Sequence, residues 1–97
     1  MKVEATVVGG RFASGTAKHI MRSLLPGDTV QLLREPDNKF DQNAVAVYAM
    51  NERIGYIERG VAPQISDFIA IGGTVVATID SFSDTLTPYV TVEFLDA

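Results

Sequence analysis

Residues Val3 to Val8 (Val-Glu-Ala-Thr-Val-Val) open the chain with β-branched side chains in partial alternation, the pattern of a half-buried strand, and Gly9-Gly10 ends it. The period then changes. Between Ala13 and Leu25 the apolar residues Ala13, Ala17, Ile20, Met21, Leu24 and Leu25 recur at three- and four-residue spacings. That spacing predicts one face of a helix, with Ser14 as N-cap and Lys18, His19 and Arg22 turned outward. Pro26-Gly27-Asp28 predicts a turn that stops it. Thr29 to Arg34 reads as a second strand and Glu35 to Asn43 as a polar loop. Ala44 to Tyr48 reads as a third strand, with a tight turn at Asn51-Glu52 leading into a fourth over Arg53 to Ile57. Apolar positions 62, 65, 68 and 69 predict a short helix over Ala62 to Ile71, with Pro63 tolerated in its first turn and Gly72-Gly73 as its cap. Thr74 to Phe82 and Tyr89 to Leu95 complete the set as two further strands, joined by the loop Asp84 to Pro88. Six short strands and two short helices in so short a chain predict a mainly β domain, a small barrel or a strongly bent sheet, because closure protects strand edges.

Length and composition narrow the function more than the fold. Ninety-seven residues predict one domain, spanning residues 1–97. The absence of cysteine removes disulfides, thiolate catalysis and Cys-ligated zinc. Apolar runs are too short to span a membrane, and Met1-Lys2 leads straight into a strand pattern rather than a signal peptide, so a cytoplasmic location without membrane contact is expected. The net charge of −4 argues against a general coat of nucleic-acid binding. The charge is unevenly distributed, however. Residues 1–59 hold all eight Lys and Arg and seven acids, a balance of +1, whereas residues 60–97 hold five acids and no Lys or Arg.

Enzymatic readings find little support. Gly10 to Gly15 lies between a strand and a helix, but Thr16 and Ala17 stand where a phosphate loop needs Lys and Ser/Thr. In the run Asp37 to Asp41, Lys39 occupies a calcium-ligand position and Tyr48 stands where the bidentate acid belongs. His19 is the sole histidine, and there is no Gly-x-Ser-x-Gly elbow. Asp37 and Asp41 have too few acidic neighbours for a metal-dependent nuclease. No catalysis, metal or cofactor is expected.

Two loops do carry candidate chemistry. Arg11-Phe12 sets a cation beside an aromatic ring directly after a strand. Arg34 to Ala44 (R-E-P-D-N-K-F-D-Q-N-A) sets Lys39 beside Phe40 among hydrogen-bonding side chains. An aromatic ring in a polar loop either folds back on the core or stacks on an unpaired base, at ~1–3 kcal/mol per base. Arg11, Lys39 and Arg59 can offset phosphates locally, and Asn38 and Asn43 either read base or sugar edges or stabilise the turn. If Arg11, Phe12, Phe40 and Asp41 line one open groove, binding is favoured; if both rings are buried, it is not.

The run R-E-P-D-N-K-F-D-Q-N-A-V-A-V-Y resembles the core motif of the HIRAN domain family. It is preceded by V-V-G-G-R-F and P-G-D-T-V-Q-L and followed by R-I-G-Y-I-E-R, so the resemblance covers roughly Val3 to Ile71. HIRAN domains occur alone in bacteria and phages, or fused to helicases and ubiquitin ligases of replication-fork repair. The resemblance implies a six-stranded OB-like barrel with two helices. It also implies a non-catalytic module that binds single-stranded DNA at a free 3′-hydroxyl end, in DNA repair or fork processing, with a helicase or nuclease partner supplying any motor or cleavage. By the same likeness Phe12 and Phe40 would stack the terminal bases, Arg11 and Arg59 would hold phosphates, and Asn38 and Tyr56 would complete the pocket, while Lys39 departs from the family by replacing a common proline with a charge. Asp41 would accept a hydrogen bond from the terminal hydroxyl. The alternative is a protein-interaction or regulatory module of the same fold that has lost DNA binding, which the acidic pI of about 4.7 favours.

Overall fold

A computed structural model describes residues 1–96. Six strands, β1 (Lys2–Val8), β2 (Thr29–Arg34), β3 (Val45–Ala49), β4 (Glu52–Ile57), β5 (Val75–Phe82) and β6 (Pro88–Phe94), close into a barrel in the order β1-β4-β3-β2-β5-β6. Every neighbouring pair is antiparallel. β1 makes the closure by changing partner along its length. Lys2 to Thr6 pair with β6, and Val7 and Val8 then pair with Ile57 and Tyr56 of β4.

The alternation seen in the sequence decides what lies inside. Pro88, Val90, Val92 and Phe94 on β6, Ala77 and Ile79 on β5, and Ala5 and Val7 on β1 point into the core. β3 is buried on both faces at Val45, Ala46 and Val47, because α1 (Gly15–Ser23) and α2 (Ala62–Ala70) cover it from outside. α2 contributes the fully buried Ile65, and its Phe68 ring lies 4.8 Å from Phe94. Fully burying a Val, Ile or Phe is worth about 1.5–3 kcal/mol, so these inward rows are what hold the barrel closed.

Element ends differ from expectation by one or two residues, each for a local reason. The first helix ends at Ser23 rather than Leu25: Leu24 is already extended, and Leu25 precedes Pro26, which disfavours helical backbone. Its start agrees, with the Ser14 hydroxyl accepting from Ala17 N–H at 3.0 Å. Strands three to six shift by one residue: β3 runs from Val45 rather than Ala44, β4 starts at Glu52, β5 at Val75 and β6 at Pro88. The β3–β4 turn is centred on Met50-Asn51 rather than Asn51-Glu52. Both residues take positive φ, 51° and 66°, the conformation of a type I′ hairpin whose twist matches its strands. α2 stops at Ala70 and ends as expected at Gly72-Gly73. Gly72 has φ 93°, its N–H donates to Ile69, and Gly73 N–H donates to Phe68, closing a Schellman cap.

One element was not expected. After Gly9, whose φ of 78° turns the chain, Gly10-Arg11-Phe12 forms a single 3-10 turn, closed by Phe12 N–H to Gly9 at 3.1 Å and Ala13 N–H to Gly10 at 3.1 Å. Among the described residues no helix is long and apolar enough to cross a membrane.

Candidate nucleic-acid interface

Tyr56 is the hinge of the site. Its backbone lies between Val8 of β1 and Ala46 of β3, so each flanking loop starts close to it. Gly55 makes that approach possible: a Cβ there would come 2.5 Å from the Val8 carbonyl oxygen and 2.8 Å from Val7 Cγ1. On one side lies the Gly10-Phe12 turn, which packs on β4 and α1 through Met21. On the other lies the loop from Glu35 to Ala44, pinched at its base by Glu35 N–H to the Ala44 carbonyl at 2.9 Å.

Both aromatic rings face solvent. Phe12 is 74% exposed and Phe40 85%, so neither folds back onto the core. The Arg11 guanidinium lies over the Phe12 ring, 4.7 Å from its centre, which pre-sets cation and ring as one unit.

The Phe40 loop is held by its polar residues. Asn38 Oδ1 accepts from the N–H groups of Phe40 at 2.9 Å and Asp41 at 3.1 Å, and its Nδ2 donates to Glu35 Oε1 at 3.1 Å. Asn38 therefore shapes the loop that presents Phe40. Asp41 Oδ1 accepts from Asn43 N–H at 2.9 Å. Its Oδ2 lies 3.9 Å from Arg59 Nε, beyond hydrogen-bond distance, and the Arg59 terminal nitrogen donates instead to the Phe40 carbonyl at 3.1 Å. A carboxylate offers about four acceptor positions, so Asp41 retains capacity for a ligand donor while keeping its turn. The Tyr56 hydroxyl donates to Glu35 Oε1 at 2.8 Å and accepts from Arg53 at 3.0 Å, with the Arg53 guanidinium 5.2 Å from the ring centre. Burial first, and then the bond to the Glu35 carboxylate, push the Tyr56 phenol above its usual value of 10.0. Lys39 is exposed on the same loop, and among the described residues the one ion pair is Arg59 with Asp41.

Arg11 and Phe12 share a cleft that does not take in Phe40 or Asp41. A cleft of about 670 Å³ is lined by Arg11 and Phe12 together with Val7 to Gly10, Lys18, Met21, Arg22 and the β5–β6 loop from Thr85 to Pro88. Asn38, Lys39, Phe40, Asp41, Tyr56 and Arg59 lie outside that lining. The two regions have different partners: the Gly10-Phe12 turn lines the cleft with α1 and the β5–β6 loop, while the Arg59 guanidinium donates to the Phe40 carbonyl. Lys18 and Arg22 were read only as solvated helix surface. Their separation of one helical turn, following Arg11-Phe12, was the available signal.

The HIRAN domain family model matches residues 2–93. The chain belongs to the HIRAN domain family. HIRAN domains are nucleic-acid-binding modules, and this one closes the barrel expected of the family. The crystal structure of the HIRAN domain of human HLTF superposes with a TM-score of 0.79 at 20% identity, covering 96% of this chain and 74% of that one. A crystal structure of a protein from Lactobacillus plantarum superposes with a TM-score of 0.87 at 22% identity, covering 100% and 98%. At these identities the likeness is one of fold. No curated protein matches the chain.

Proposed function

We propose that this HIRAN domain binds single-stranded DNA at a free 3′-hydroxyl end, as a non-catalytic module that marks or protects the end for a helicase or nuclease partner in DNA repair or fork processing. The observation that carries the reading is the pair of exposed rings, Phe12 and Phe40, each set on a hydrogen-bonded turn with a guanidinium against its own residue or its neighbour. Exposing two phenylalanines costs burial energy that a merely structural loop would recover, and bases stacked on them return ~1–3 kcal/mol each. Arg11, Lys39 and Arg59 supply local positive charge in an otherwise acidic chain.

Asp41 gives the reading its end selectivity. A charged acceptor bonded to a hydroxyl is worth ~1.5–3 kcal/mol. The same carboxylate repels a 3′-phosphate or the phosphate of a continuing strand, so it also acts against wrong ligands. Asn38 and Tyr56 serve as positioning residues, one shaping the Phe40 turn and the other anchoring its base.

Titration of a linear labelled oligonucleotide against the same sequence circularised, followed by fluorescence anisotropy, tests the reading. The linear strand is expected to bind and the circle to bind far more weakly. Equal binding would remove end recognition. Binding of neither would leave the protein-interaction reading.

A further inference from the structure

The cleft beside Phe12 has a composition that the chain as a whole does not. Three cations line it, Arg11, Lys18 and Arg22, and not one of the twelve acidic residues does. Among the described residues none of the three forms an ion pair, and all three are exposed. In a chain of net charge −4 this segregation leaves a concave, locally positive surface with an aromatic ring at its edge.

Its geometry is directional. Lys18 and Arg22 stand one turn apart on α1, about 6 Å along the helix axis. That separation is close to one nucleotide step of an extended strand. Met21 lies between them in the lining, with its Cε 3.2 Å from where a Cβ on Gly10 would stand, so it joins the helix to the Arg11-Phe12 turn. The opposite wall is a fixed loop. Ser83 Oγ accepts from the N–H groups of Thr85 at 3.2 Å and Thr87 at 3.0 Å, which holds Leu86 in its positive-φ conformation. A positively charged channel that starts at a stacking ring and runs away from it suits the backbone of a strand whose terminal base is held elsewhere.

We propose that Lys18 and Arg22, continuing from Arg11, form a phosphate track for the nucleotides on the 5′ side of the bound end. This inference rests on the end-binding reading above and adds to it a second contact region on α1. The terminal nucleotides occupy the Phe40-Asp41 loop, the strand crosses Phe12, and the next phosphates lie along the helix. Affinity then grows with strand length beyond the terminal nucleotides, and the growth is electrostatic.

The test compares a trinucleotide and a dodecanucleotide, both with a 3′-hydroxyl, binding to the wild type and to the double variant K18Q/R22Q. Both side chains are exposed, so the fold is left intact. The wild type is expected to bind the dodecanucleotide more tightly, and the double variant to lose most of that advantage while keeping its affinity for the trinucleotide. Each phosphate released from contact removes about 0.7 from the slope of log affinity against log salt. Between about 50 and 200 mM salt, the wild type should therefore lose about sevenfold more affinity for the longer strand than the variant does. An unchanged length advantage and salt slope in the variant would overturn the track, as would an equal loss for both lengths. A wild type that binds both lengths equally would overturn the track alone. A wild type that binds neither would overturn end binding and the track with it.

Discussion

The Tyr56 hydroxyl donates to Glu35 Oε1 at 2.8 Å, and the same oxygen accepts the Asn38 amide at 3.1 Å. One carboxylate oxygen thus ties the central strand of the site to the turn that presents Phe40. Tyr56→Phe removes the first of these bonds and leaves the second. A loss of about 1 kcal/mol in urea denaturation is expected, together with weaker strand binding. The fold favours the neutral phenol, since its folded-state pKa is raised. The Tyr56 contribution is therefore intact below the ordinary tyrosine value, about pH 10, and is lost as the pH rises through the folded-state value. The stability gap between wild type and Tyr56→Phe should accordingly be present up to about pH 10 and narrow above it.

Glu35 has a second consequence, because its charge stands beside a site meant for phosphates. Glu35→Gln keeps an acceptor oxygen for Tyr56 and Asn38 while removing the charge. A unit charge about 8 Å away is worth about 2 kcal/mol at an effective dielectric of 20, and salt reduces this. Strand affinity measured at low salt is expected to rise severalfold and by at most about thirtyfold, with the gain fading as salt increases.

Phe12→Ala and Phe40→Ala separate binding from stability. Because both rings are solvent-exposed, thermal midpoints should stay close to wild type. Each variant should nevertheless lose about 1–3 kcal/mol of strand binding, read by anisotropy. A large drop in thermal midpoint would instead assign the rings to the fold.

Gly55→Ala acts in the opposite sense. The new methyl would meet the Val8 carbonyl oxygen at 2.5 Å and Val7 Cγ1 at 2.8 Å, at the point where β1 joins β4. A cost of about 1–3 kcal/mol is expected from overpacking, seen as a lowered midpoint in thermal unfolding.

The strands were legible because inward rows such as Val90, Val92 and Phe94 alternate with partly exposed positions, Thr91 and Glu93. The Ser14 cap and the Gly72-Gly73 stop were legible because each rests on one residue's own chemistry. The Gly10-Phe12 turn was not: three residues carry no periodicity, and the turn depends on the backbone angle at Gly9. The exposure of Phe12 and Phe40 was left open by the sequence, which allows a loop ring either to fold back or to stand free. The cleft was hidden for a different reason. Its helix wall and its Thr85-Pro88 wall are far apart in sequence and meet through β1 pairing with β6, a contact that no local pattern announces. That Asn38 holds its own turn is visible only in which backbone N–H groups its oxygen reaches, which an Asx-rich segment does not specify.

The central claim is that Asp41 selects a free 3′-hydroxyl. Asp41→Asn is the informative variant, because the amide oxygen can still accept from Asn43 N–H while the charge is gone. The deciding measurement is the ratio of anisotropy-derived affinities for one strand ending in a 3′-hydroxyl and the same strand ending in a 3′-phosphate. Wild type is expected to prefer the hydroxyl by at least about tenfold, corresponding to ~1.5–3 kcal/mol for a charge-assisted bond, and Asp41→Asn to bring the ratio close to one. Equal wild-type affinities for the two ends, or a preference that survives Asp41→Asn unchanged, would contradict the account.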